Sequence, residues 1–97
     1  MATPQVPTPC VLNNKLFARL RALKKNNCHG EAYVEAAQAL GLTELRDQFA
    51  RIDRDLVREG HLSFELNQER HAAYNKLMQE AKRRFPGALY DRFYMCF

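Results

Sequence analysis

No run of apolar residues in this chain approaches the roughly 20 that a membrane helix requires. Charged side chains interrupt every hydrophobic stretch, and a spanning helix is excluded. Cysteine is scarce: Cys10, Cys28 and Cys96 are an odd number, widely spaced, which suits a reducing compartment and offers no disulfide framework. The cysteines and histidines form neither Cys-x-x-Cys nor His-x-x-x-His, so no zinc spacing is present and neither a metal nor another cofactor is expected. None of the four glycines builds the Gly-rich loop after a strand that cradles nucleotide phosphates. The first residues lack the basic and apolar regions of a secretory signal, which makes the cytoplasm the expected location.

Acidic residues are also missing from the first thirty positions, where Lys15, Arg19, Arg21, Lys24 and Lys25 stand unopposed. Residues 31–75 are acidic on balance and residues 76–97 basic again, within a formal net charge of +4. Separated surfaces of opposite sign are a statement about partners rather than about fold.

Three of the four prolines fall within the first nine residues, which have nothing to pack. Residues 1–10 therefore read as a disordered leader and residues 11–97 as a single all-α domain, a small bundle of about four helices with an aromatic C-terminal tail. Asn13 and Asn14 offer caps to a helix with Leu16, Phe17, Leu20 and Leu23 at helical spacing. A second helix is predicted from about Glu31 to Leu40, with Gly41 past its end. Thr43 is the expected cap of a third, whose apolar face is Leu45, Phe49, Ile52 and Leu56, closed by Gly60. A long fourth helix follows from about Ser63 to Arg84, stopped by Pro86-Gly87, with Leu66, Tyr74 and Leu77 buried. The alternation of Leu62, Phe64 and Leu66 supports a second reading, an α+β fold with a short hairpin near 61–66. The tail has room for one more helical turn or two.

The segment Ala36-Ala37-Gln38-Ala39-Leu40-Gly41-Leu42-Thr43 resembles the first helix and turn of a helix-turn-helix, which implies nucleic-acid binding through segment 31–58. The helix after that turn carries a net negative charge, whereas a helix facing phosphates needs the opposite. Asp47, Arg51, Asp55 and Arg58 instead fit a salt-bridged solvated face. A second candidate nucleic-acid contact is the basic first helix, through Lys15, Arg19, Arg21, Lys24 and Lys25. Cys28-His29 is the sole adjacent nucleophile and base, but adjacency in sequence does not make a catalytic pair, and no enzyme is expected.

Half of the ten aromatic residues crowd into the last thirteen positions as Phe85, Tyr90, Phe93, Tyr94 and Phe97. Tyr, Phe, Met and Arg are enriched at interface centres. Tyr90, Arg92, Phe93, Tyr94, Met95 and Phe97 are accordingly the expected protein interface. The leading functional expectation is a non-enzymatic interaction module, such as a small regulator, inhibitor or adaptor. It would dock on another protein or on a second copy through this region and the adjacent helical hairpin. A nucleic-acid-binding regulator is the alternative; no membrane or small-molecule partner is indicated.

Overall fold

The computed structural model describes residues 12–97, and the leader expected over residues 1–10 lies outside the described residues. The fold is all-α: helices α1 (Asn14–Lys25), α2 (His29–Ala39), α3 (Thr43–Glu59), α4 (Phe64–Arg84) and α5 (Gly87–Tyr94), with no strand among the described residues.

Side chains and backbone conformation together set the helix ends. Asn13 caps α1, its Oδ1 accepting from the Leu16 N–H at 2.9 Å, and Ser63 caps α4, its Oγ accepting from the Leu66 N–H at 3.1 Å. Asn27 and Gly41 turn the chain through the left-handed region after α1 and α2, so that Cys28 N–H donates to Leu23 O at 2.8 Å and Leu42 N–H to Ala37 O at 2.9 Å. Each closes its helix with the wide loop of a Schellman turn. Gly60, with φ of 80°, ends α3 in the same region.

The α+β alternative near 61–66 is overturned by the Ser63 cap, which commits Phe64 onward to helix. Leu66 then faces inward while Phe64 points to solvent, which a strand alternation does not produce. Helix α2 begins at His29, two residues earlier than expected, and takes Gly30 inside it; Thr43 is the first residue of α3 rather than its cap.

One core gathers Phe17 and Leu20 from α1, Ala32 and Ala36 from α2, Phe49 from α3, Leu77 and Ala81 from α4, and Phe93 from α5. Ile52 and Leu66 are also buried but pack apart from this cluster, where α3 and α4 run on past the other helices. Leu56 and Tyr74, expected in the core, are only half-buried. The molecule is correspondingly long, 47 × 26 × 20 Å.

Candidate interaction surface

Helix α5 is short, and packing rather than propensity holds it in place. Phe93 is 0% exposed and Cys96 is buried beside it, its thiol donating to Arg92 O at 3.3 Å. Phe97 then lies flat on Tyr33 of α2, ring centroids 5.4 Å apart, and meets Tyr74 of α4 edge-on at 6.2 Å. Tyr33 in turn stacks on Phe49 of α3 at 5.0 Å. These offset and edge-on contacts are the favoured aromatic geometries, and they pin the end of α5 to α2 and α4, with α3 joined through Tyr33.

The six residues expected at an interface therefore separate. Phe93 belongs to the core and is not available to a partner, which corrects its place in the expected set. Phe97 and Tyr90 are half-buried. Arg92 is exposed but laid over the Phe17 ring, 5.0 Å from its centroid, and donates to Asn14 Oδ1. Tyr94 at 50% and Met95 at 76% exposure face outward. Sequence reasoning grouped all six because which side of α5 faces inward depends on where its neighbours lie.

All four tyrosines converge at this joint. Burial pushes the Tyr74 phenol up to about 12, and Tyr94, Tyr33 and Tyr90 beside it add to the rise, because phenolates so grouped repel one another. A second exposed apolar spot lies at the tip of the α3–α4 hairpin, where Val57 and Phe64 are 76% and 70% exposed. It stands apart from α5: Phe64 is the first residue of α4, and Tyr74, which meets Tyr94, is about 15 Å further along that helix.

The five basic residues of α1 are all exposed. Arg19 forms an ion pair with Glu35, and Lys24 Nζ donates to Phe97 O at 2.6 Å. In the helix-turn-helix-like segment three of the four arginines are neutralised instead, Arg54 forming no ion pair among the described residues. Arg51 pairs with Asp55 at 3.3 Å and with Glu69, Arg58 with Asp55 at 2.8 Å, and Arg46 with Asp47 at 3.1 Å. The expected salt-bridged face is thus present, though Asp47 takes its chain neighbour Arg46 and Arg51 reaches across to α4.

Cys28 and His29 border a cleft of about 420 Å³ with Asp53, Leu62 and Arg70. The Cys28 thiol donates weakly to Asn26 O at 3.6 Å, and no hydrogen bond joins it to His29. A working nucleophile and base need contact near 3 Å. No group of three or more metal-ligating side chains is found among the described residues, and no helix there is long and apolar enough to cross a membrane. Sequence reasoning passed over what gives this cleft its floor, the Asp53 side chain set directly against Gly30.

Comparison of the chain with protein-family models, with curated proteins and with solved structures finds no match.

Proposed function

We propose that the chain is a non-enzymatic protein-interaction module, a regulator, inhibitor or adaptor, whose partner protein docks on the outward side of α5. The observation that carries this reading is the pairing of exposed Tyr94 and Met95 with buried Phe93 and Cys96 at the end of one eight-residue helix, its cap and the residue after it. Turning α5 over to hide the two outward side chains would empty the core of Phe93. The patch is therefore presented in a fixed orientation, and a partner covering it orders little that is not already ordered. Met supplies an adaptable apolar contact and Tyr a large rigid one with a polar end, a combination suited to the centre of an interface. The hairpin tip at Val57 and Phe64 offers a separate contact to a partner long enough to reach it.

Removing Leu89 to Phe97 cannot test this, since it takes Phe93 and Cys96 out of the core. The double variant Tyr94→Ser, Met95→Ser can. Met95→Ser is expected to change stability by no more than about 0.5 kcal/mol, and Tyr94→Ser, which also gives up its contacts with Tyr74 and Tyr90, by about 1 kcal/mol, leaving the domain folded. The native chain is expected to associate with a second copy in light scattering across concentration or, if monomeric, to retain a protein partner from its host extract. The double variant is expected to do neither. A variant that matches the native chain in both assays would overturn the proposal.

A further inference from the structure

We infer that the seam between α1 and α5 is a binding surface for the phosphodiester backbone of nucleic acid, formed by Arg21, Lys24 and Arg92. It is a different surface from the Tyr94–Met95 patch, and neither reading depends on the other.

Phe17, Arg21 and Lys24 are at i, i+4 and i+7 on α1 and so fall in one row along the helix. Helix α5 settles on that row. The Arg92 guanidinium lies over the buried Phe17 ring at one end, and Lys24 reaches Phe97 O at 2.6 Å at the other, with Arg21 between them. All three cations also work against the burial that raises the pKa of the Cys96 thiol. None of the three pairs with an Asp or Glu carboxylate among the described residues, and Lys24 has the Phe97 O as its partner. Helix α1 contains no acidic residue, and Lys25 adds a further charge beside Lys24.

Elsewhere most arginines are cancelled, through Asp47, Asp55 and Glu69 on α3 and α4 and through Glu80, which takes both Arg83 and Arg84, while Arg54 and Arg70 form no ion pair among the described residues and stand singly. Positive charge is left standing along this seam. The row from Phe17 to Lys24 rises about 10 Å, long enough to face more than one phosphate of a strand. Stacking on Phe17 restricts the Arg92 guanidinium before any ligand arrives, and a guanidinium matches phosphate geometry better than an ammonium does. These groups bind charge and read no base edge, so binding is expected to be independent of sequence.

The test is fluorescence anisotropy of the full chain with a labelled 20-base-pair duplex and with the corresponding 20-nucleotide single strand, between 50 and 200 mM salt. Three phosphate contacts predict a duplex affinity that falls about 40-fold over that range, with a log–log slope near −2.7. Arg21→Gln with Lys24→Gln, both exposed, is expected to flatten the slope by about 1.8 while the helical circular dichroism and melting curve stay unchanged. Arg83→Gln, which removes a cation paired with Glu80, is the control and is expected to leave the slope alone. The duplex and single-strand arms identify which form the seam prefers. Several results would each overturn the proposal: no binding at 50 mM salt, affinity insensitive to salt, a slope unchanged in the double variant, or equal loss in Arg83→Gln. Polyglutamate competing as well as the oligonucleotide at equal charge would assign the surface to acidic protein instead and would overturn it too.

Discussion

Gly30 sits within the first turn of α2, where alanine would ordinarily be favoured by about 1 kcal/mol. The neighbouring helix reverses that preference. A Cβ at position 30 would fall 2.6 Å from Asp53 Cγ and 3.2 Å from Asp53 Cβ, and no rearrangement of Gly30 alone relieves both. Asp53 gains from the arrangement, because its carboxylate rests against the positive end of the α2 dipole. Gly30→Ala is therefore expected to cost about 1–3 kcal/mol by overpacking. The same change in an Asp53→Ala background should recover the gain in helix propensity. Urea unfolding of the four proteins closes the cycle; strictly additive effects would mean that Asp53 swings clear at no cost. None of this was legible in the sequence. Cys28-His29-Gly30 follows Asn26-Asn27 and reads as loop punctuation, and nothing local announces a contact with the next helix but one turn of chain.

Among the helices, those with strong local signals were legible almost to the residue. Asn13 and Ser63 carry side chains that cap, Gly41 and Gly60 take the left-handed conformation, and Pro86 stops α4. Helix α2 was misplaced at its start because its N-cap, Cys28, makes no side-chain cap bond. Helix α5 was legible as room for a turn or two of helix after Pro86-Gly87, but which of its aromatics turn inward is decided by α1, α2 and α4. Its seating has a pH signature. The Tyr74 phenol titrates near 10 when unfolded and at about 12 when folded, because α5 and its tyrosines shield it. Its neutral form is the one the fold favours, so this contribution to stability is complete below pH 10 and is lost as pH rises from 10 towards 12. Melting temperature measured across that interval is expected to fall less steeply for Tyr74→Phe than for the native chain. Parallel curves would mean that Tyr74 is open to water and α5 is not seated as described.

The molecule as a whole is more than twice as long as it is thick, because α3 and α4 extend beyond the helices that cover them. The outer part of that hairpin is held by Ile52, Leu66 and the half-buried Leu56 and Leu62, outside the main cluster. Local opening costs least where buried apolar contact is sparse. Hydrogen exchange is expected to protect residues 45–50 and 73–81 most strongly and residues 54–68 least, and uniform protection along α3 and α4 would contradict this division. The tyrosine joint bears on measurement itself. The chain has no tryptophan, and its four tyrosines all gather where α2, α4 and α5 meet. Its near-ultraviolet chromophores thus report chiefly on one small region of an elongated body. Events along α1 or at the hairpin tip would pass almost silently in intrinsic fluorescence, while a partner closing over Tyr94 would change the signal directly.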